Sequence, residues 1–175
     1  SRGLGDVYKR QAADRIDEVI NTKSSITDAE SPKSISNPKG LLVFDHVNFK
    51  YPGANENALE DINFVAEPGK TTAIIGSTGC GKSTLVNLIP RLYDATEGSI
   101  TLDGENIKNI SMKELRDELG YVPQKGILFS GTIESNIKFG APEASMDIVK
   151  EAAEIAQATE FIETKSAKYE SPIAQ

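Results

Sequence analysis

Residues 76–83 are Gly-Ser-Thr-Gly-Cys-Gly-Lys-Ser, and they determine what kind of domain the chain can form. Their spacing fits G-x-x-x-x-G-K-S/T, the pattern of a loop that wraps around phosphate groups. Residues 71–75 before the loop are rich in apolar and β-branched side chains, which predicts a buried strand. Residues 83–89 after it predict a helix, and Pro90 is suited to end that helix. The order strand, glycine loop and helix is the context that the pattern requires.

The residue types of the loop match its chemistry. Glycines at positions 76, 79 and 81 allow backbone conformations that a Cβ would oppose, and they allow close approach to a ligand. The loop N–H groups would converge on phosphate oxygens at the positive end of the helix. Lys82 would reach the β- and γ-phosphates, and the Ser83 hydroxyl would ligate Mg²⁺. A chance match in a chain of this length is on the order of one in a hundred.

Length and composition narrow the possible classes of protein. The chain has 175 residues, which is enough for one domain with a hydrophobic core. Its net charge of −7 argues against a nucleic-acid-binding surface, so nucleic acid is not an expected partner. A single cysteine excludes an internal disulfide and fits a reducing compartment. The sequence contains neither an apolar run of membrane-helix length nor a secretory signal.

The N-terminal region divides into three parts. Residues 1–11 show no clear periodicity and resemble adapter read-through, so we expect an unstructured leader. Residues 12–20 place apolar groups at helical spacing. Residues 21–40 are rich in Ser, Thr, Asn, Lys and Pro, which predicts an exposed linker.

Strand patterns lie on both sides of the glycine loop. Residues 41–49 and 59–66 predict two strands close in sequence, and hence an antiparallel layer beside a parallel sheet. Residues 96–104 predict a turn, a strand and a second turn. Residues 120–124 predict a strand that ends in a loop.

Helices are predicted mainly in the C-terminal half. Ser111 and Glu114 fit a capping box, which predicts the start of a short helix. Ser145 is predicted to cap a helix whose apolar residues form a single face, at positions 148, 149, 152, 153, 155 and 156. Shorter helices are predicted at 133–137 and 159–164.

Four stretches together resemble one protein family. They are Phe49-Lys50-Tyr51-Pro52, the glycine loop followed by Thr84-Leu85, Tyr121-Val122-Pro123-Gln124, and residues 128–137. The chain resembles the nucleotide-binding domain of an ABC transporter, in particular an exporter-type, multidrug-like half-transporter. The four stretches are similar to that family's adenine-stacking loop, phosphate loop, glutamine loop and the exporter segment that follows the glutamine.

The resemblance implies a fold and a division of the chain. The fold would be α/β: a P-loop NTPase core, mostly a parallel sheet with flanking helices, plus an N-terminal antiparallel β layer. Residues 12–20 would end the last helix of a transmembrane domain, and 21–40 would be the linker. Residues 41–175 would be the N-terminal part of an ABC ATP-binding domain, truncated before the signature motif. We therefore expect the intact parent to hydrolyse ATP and this fragment alone to be inactive.

The resemblance also implies residue roles, with ATP and Mg²⁺ as ligands. Tyr51 would stack on adenine, although residue type alone leaves packing on the core equally open. Gln124 would touch Mg²⁺ and the attacking water, although residue type alone favours a solvated loop side chain. The implied catalytic residues are Lys82 and Gln124, and the metal ligands are Ser83 and Gln124. The implied ATP-binding residues are Tyr51, Gly76, Ser77, Thr78, Gly79, Cys80, Gly81, Lys82, Ser83 and Thr84.

The family's catalytic histidine comes near the end of the domain. His46, the single histidine of this chain, lies in a predicted strand before the glycine loop. We therefore interpret His46 as structural or solvated.

The leading interpretation is an ATP-binding and, in the parent, ATP-hydrolysing domain that powers export across a membrane. Its partners would be an upstream fused transmembrane domain and a second half-transporter, identical or different. It would lie at the cytoplasmic face of the cell membrane. Two alternatives remain open: a soluble ABC-type ATPase without a transport role, and a binding-only half of a heterodimeric exporter.

Overall fold

A computed structural model describes residue 13 and residues 15–173. These residues form two compact units, the first ending at Gly120 and the second beginning at Tyr121. The predicted leader at residues 1–11 lies outside the described residues. Within the described part of the chain, no helix combines the length and the apolar character needed to cross a bilayer.

The first unit is built on an antiparallel sheet. Strands β1 (Leu42–Phe49), β2 (Leu59–Ala66), β3 (Glu97–Leu102) and β4 (Glu105–Asn106) lie in the order β2-β1-β3-β4. Every neighbouring pair is antiparallel. The predicted antiparallel layer at 41–49 and 59–66 is therefore confirmed, as is the strand predicted within 96–104.

Helices accompany this sheet. Helix α1 covers residues 15–21, α2 covers Lys82–Leu88 and α3 covers Met112–Asp117. The inner side of α2 buries Leu85 and Leu88 in the core of the unit. Each buried leucine contributes about 1.5–3 kcal/mol of transfer free energy, so the helix after the glycine loop is firmly held. The core consists of Phe44, Val47, Phe49, Leu59, Leu85, Leu88, Ala95, Ile100, Leu102, Ile107, Ile110 and Leu115.

The capping box predicted for α3 is half formed. The Ser111 hydroxyl accepts a hydrogen bond from the Glu114 N–H at 3.2 Å, as predicted. The Glu114 carboxylate accepts instead from the N–H of Ile35, at 3.0 Å. The side chain is thus recruited by a segment 79 residues earlier in the chain, which a local capping pattern does not anticipate.

Two strand predictions are not borne out. Residues 71–75 and 120–124 have no regular secondary structure and are exposed at every position. A parallel strand receives its hydrogen bonds from neighbouring strands and its burial from layers on both faces. Among residues 13 and 15–173 no strand pairs with either segment, so their apolar composition alone does not make them strands.

The second unit is small and mostly helical. Its strands β5 (Gly131–Thr132) and β6 (Pro172–Ile173) form an antiparallel pair. Its helices are α4 (Ile133–Ile137), α5 (Met146–Ile155) and α6 (Thr159–Glu163), close to the predicted positions. Its core consists of Val149, Ala153, Ile162 and Tyr169.

Helix α5 begins as predicted, with the Ser145 hydroxyl accepting from the Ile148 N–H. The single apolar face that the sequence predicts for α5 is only partly buried. Val149 and Ala153 are buried, whereas Ile148 is 55% exposed and Ile155 is 78% exposed. The small core of this unit covers only part of an apolar face that is wide relative to the helix circumference.

Candidate functional site

The glycine loop leads directly into helix α2. Gly79 and Gly81 have φ of +84° and +90°, the left-handed region in which side chains other than glycine are strained. Gly81 is the N-cap residue of α2, and no side chain caps the helix there. The first N–H groups of a helix have no partner inside it. The loop therefore presents uncapped amide donors at the positive end of a helix, which suits an anionic ligand.

Close contacts at two glycines of the loop, Gly81 and Gly76, leave no room for a Cβ at these positions. A Cβ on Gly81 would lie 2.8 Å from Leu59 Cδ2 and 2.9 Å from the Ala58 carbonyl oxygen. A Cβ on Gly76 would collide with Cys80 Sγ. Ala58 and Leu59, at the start of β2, thus pack directly against the loop at Gly81. Sequence reasoning missed this role. No local pattern marks these two residues, because they are distant from Gly81 along the chain.

The Lys82 ammonium group lies within the loop. Its Nζ donates to the carbonyl oxygens of Gly76 and Ser77 at 2.8 and 2.7 Å, and it lies 3.6 Å from Cys80 Sγ. These acceptors are neutral. A phosphate oxygen is charged and accepts a hydrogen bond roughly twice as strong. The ammonium is therefore placed where an entering phosphate can compete for its donors.

Tyr51 and Thr84 connect the end of β1 to α2. The Tyr51 hydroxyl and Thr84 Oγ1 are hydrogen bonded at 2.9 Å, and Thr84 is buried. The half-buried Tyr51 ring packs edge-on against Phe49 and Tyr93, with ring centroids 4.8 and 5.2 Å apart. In this conformation Tyr51 packs against the core, and its stacking on adenine stays a prediction.

The other predicted site residues divide between the two units. Ser77, Thr78 and Cys80 are exposed in the loop of the first unit, and Ser83, in the first turn of α2, is exposed as well. Gln124 is exposed in an irregular segment of the second unit. Among the described residues no group of three or more His, Cys, Asp or Glu side chains is arranged to hold a metal ion. The ligands that the sequence predicts for Mg²⁺ are of other types, the Ser83 hydroxyl and the Gln124 amide oxygen, and they stay a prediction.

His46 lies in a separate, exposed polar cluster on the sheet. Its Nδ1 is 2.6 Å from Asp61 Oδ1, and its Nε2 is 3.9 Å from Asp45 Oδ1. The backbone N–H of His46 donates to Asn63 Oδ1 at 2.8 Å, at the point where the register of β1 shifts. The hydrogen bond to Asp61 raises the pKa of His46 above 6.5. His46 is thus exposed to solvent and also paired within the sheet, which is compatible with its interpretation as structural or solvated.

The His46–Asp61 pair should stabilise the fold most between about pH 4 and pH 6.5, the ordinary pKa values of the two groups. The pKa of His46 is raised, so its contribution is complete below 6.5 and is lost as the pH rises through the folded value. The hydrogen bond from His46 lowers the pKa of Asp61 below 3.8, so its contribution is lost as the pH falls. An NMR titration of the single histidine measures the pKa of His46 in the folded protein, on which this pH dependence rests.

Two variants provide the comparison for this titration. Asp61→Asn removes the charged hydrogen-bond partner and should return the His46 pKa towards 6.5. Asp45→Asn should lower it less, because Asp45 acts on His46 only by charge. An unmodified protein whose His46 titrates at or below its ordinary value would contradict the prediction.

Comparison with known proteins extends these observations. The family model described as ABC transporter matches residues 59–173. A Bacillus subtilis (strain 168) protein, named as the uncharacterized ABC transporter ATP-binding protein YfiB, is 41% identical over 167 residues. These residues are 95% of this chain and 29% of that protein. A Staphylococcus aureus (strain NCTC 8325 / PS 47) protein, named as a putative multidrug export ATP-binding/permease protein, is 40% identical over 158 residues, covering 90% of this chain and 27% of that protein.

A solved structure is similar as well. The structure of a bacterial Atm1-family ABC exporter with ATP bound superposes with a TM-score of 0.86 at 33% sequence identity. The match covers 98% of this chain and 31% of that chain. The chain thus spans less than a third of the length of each of these relatives.

Proposed function

The chain belongs to the ABC transporter family, and on this premise we propose that it forms part of an ATP-binding domain that hydrolyses ATP to power export across a membrane. The observation that carries the proposal is the glycine loop with Lys82 Nζ held against the Gly76 and Ser77 carbonyls. An entering triphosphate would take over these ammonium donors. The uncapped amides at the start of α2 would bind the same phosphates.

The chemical role of Lys82 follows from its position. In phosphoryl transfer the charge spreads over the transferred group's oxygens, and catalysis consists mostly of positioning and electrostatic stabilisation. Lys82 supplies a fixed positive charge for those oxygens, and the loop amides supply oriented dipoles. Mg²⁺ would neutralise phosphate charge when bound, and the Ser83 hydroxyl and the Gln124 amide oxygen are ligands of the hard-oxygen type that it takes.

The surroundings of the loop belong to the same proposal. The Tyr51 ring would stack on the adenine base. Residues 71–75 would become a strand of a parallel core when neighbouring strands of a longer protein lie beside them, which their composition supports. Residues 12–20 would continue from a transmembrane domain, and 21–40 would connect that domain to the ATP-binding part.

Partners and location are proposed from the relatives. The Staphylococcus aureus protein is named for both an ATP-binding and a permease part, and the chain covers 27% of it. We propose the same organisation here: a fused transmembrane domain, a second half-transporter and a position at the cytoplasmic face of a membrane. The names of the relatives favour export over a soluble ATPase without a transport role.

Calorimetric titration of the intact protein with MgATP tests the binding proposal. Saturable binding of ATP is expected, with weaker binding when EDTA removes Mg²⁺ and when Ser83→Ala removes the hydroxyl ligand. Phosphate release under the same conditions separates hydrolysis from binding alone. Absence of saturable ATP binding by the folded, intact protein would refute the proposal.

Tyr51→Ala should weaken ATP binding about five- to 150-fold, because stacking of a base on an aromatic ring is worth about 1–3 kcal/mol. Tyr51→Phe keeps the ring and removes only the hydroxyl bonded to Thr84, so it should bind ATP nearly as the unmodified protein does. Inorganic tripolyphosphate, which has no base, should bind equally to all three. Equal ATP affinity in the Ala and Phe variants would instead assign Tyr51 to core packing alone.

A further inference from the structure

Residues 24–41, here called the strap, are tied to the first unit at intervals along their length. They are mostly exposed and have almost no regular secondary structure, as expected of a linker. The Asp28 carboxylate accepts from the Met112 N–H at 2.7 Å, at the start of α3. The Lys33 N–H donates to the Asn109 carbonyl at 2.8 Å. Polar groups of the strap are thus paired with fixed partners rather than only with water.

The end of the strap has the densest anchoring. The Asp103 carboxylate accepts three backbone N–H bonds at 2.8 to 3.1 Å, from Lys39, Gly40 and Leu41. Partial burial opposes ionisation of Asp103, and the three amide bonds outweigh it, so its pKa is lowered. Glu114 likewise accepts from the Ser34 hydroxyl and the Ile35 N–H. These are charge-assisted bonds, which are stronger than neutral ones.

Arg91 joins the strap to the helix that follows the phosphate loop. The Arg91 side chain is 3% exposed, and its Nη2 donates to the Thr27 carbonyl at 3.3 Å. Its Nε and Nη2 pair with both carboxylate oxygens of Asp94 at 2.9 Å, which fixes the plane of the guanidinium. Its backbone N–H donates to the carbonyl of Leu88, the last residue of α2.

A short and rigid path therefore leads from the loop to the strap. Helix α2 begins directly after Gly81 and ends at Leu88, one turn before Arg91. Leu85 and Leu88 fix the helix in the core. Arg116 also holds this end of the path, because its Nε donates to the Pro90 carbonyl at 2.9 Å and its Nη2 to the Arg91 carbonyl at 3.2 Å. Movement of α2 along its axis would shift the position of the guanidinium that binds the strap.

We propose that Arg91 is a positioning residue that couples nucleotide binding at the phosphate loop to docking of the strap. The proposal rests on ATP binding at the loop and adds a second site, 64 residues from Arg91 in sequence, that responds to it. Such coupling is reciprocal, so the docked strap strengthens nucleotide binding by the same factor by which nucleotide strengthens docking. The strap is then a reporter and a regulator of the loop rather than a passive connection.

Hydrogen exchange of the strap amides in the intact protein tests the coupling. Exchange at Lys33, Ile35 and Leu41 is measured with and without saturating Mg²⁺ and the non-hydrolysable analogue AMP-PNP, and binding is confirmed by calorimetry on the same sample. We expect the nucleotide to slow exchange about five- to 150-fold, the usual range of allosteric coupling. In Arg91→Met this slowing should disappear, and in Arg91→Lys, which keeps the charge, it should be partly retained.

Glu105→Gln is the matched control. It weakens the 2.9 Å ion pair between Glu105 and the strap residue Lys33 without touching Arg91 or α2. Loss of a strap contact of purely structural value should speed exchange by the same factor with and without nucleotide, as we expect for Glu105→Gln. Arg91→Met should instead remove the difference between the two states.

The possible results separate the two proposals. Binding of AMP-PNP with unchanged strap exchange in the unmodified protein would overturn the coupling and leave ATP binding intact. A nucleotide effect of full size in Arg91→Met would also overturn the role of Arg91. Absence of AMP-PNP binding would overturn the proposed function, and the coupling with it.

Discussion

Replacing Lys82 with methionine should reduce ATP hydrolysis by the intact protein about 10²- to 10³-fold, a loss of about 3–4 kcal/mol of transition-state stabilisation. Methionine keeps an unbranched stem and removes the charge that phosphoryl oxygens require. It also leaves the Gly76 and Ser77 carbonyls without their donor. Phosphate release at saturating MgATP measures the rate, and thermal unfolding shows whether the variant is folded.

Lys113→Met is the matched control for Lys82→Met. Lys113 is an exposed lysine of α3 whose ammonium pairs with Asp117, one helical turn further on. An exposed ion pair of this kind contributes little to stability, so hydrolysis should be nearly unchanged. If both variants lose activity equally, or if Lys82→Met retains it, the loop is not the catalytic phosphate site.

The features that can be predicted from the sequence are those with local causes. The glycine loop, α2 and the cap at Ser145 each depend on residues within a few positions of one another. The strands at 41–49 and 59–66 are predictable because alternation and turn residues mark them. The same locality makes the loop recognisable as a phosphate-binding element from its residue types and spacing.

The features that cannot be predicted depend on distant partners. The Asp28 carboxylate accepts a hydrogen bond from the Met112 N–H, 84 positions away in the sequence, and no pattern within the strap predicts that bond. The exposure of Ile148 and Ile155 on α5 could not be predicted, because an apolar face in the sequence does not show what covers it. Residues 71–75 have the composition of a central strand, yet strand formation depends on neighbours that their own sequence does not contain.

Gly81→Ala should destabilise the fold by about 2–5 kcal/mol, because backbone strain and overpacking add. It should also abolish tight ATP binding, because it displaces the loop amides that bind phosphate. Alanine at φ +90° is strained by about 1–2 kcal/mol. Its Cβ would also lie 2.9 Å from the Ala58 carbonyl and 2.8 Å from Leu59 Cδ2, and such overpacking costs about 1–3 kcal/mol more. Denaturant unfolding measures the first effect, and MgATP titration of the folded variant measures the second.

Gly79→Ala separates the two costs, because it has the same kind of backbone without the contact. Its φ is +84°, and a Cβ there would meet no atom within 4 Å. It should therefore lose only the conformational part, about 1–2 kcal/mol. Equal destabilisation by the two variants would mean that β2 does not hold the loop in place. A larger loss at Gly81 would mean that the start of β2 fixes the loop backbone, and with it the direction of the amides that bind phosphate.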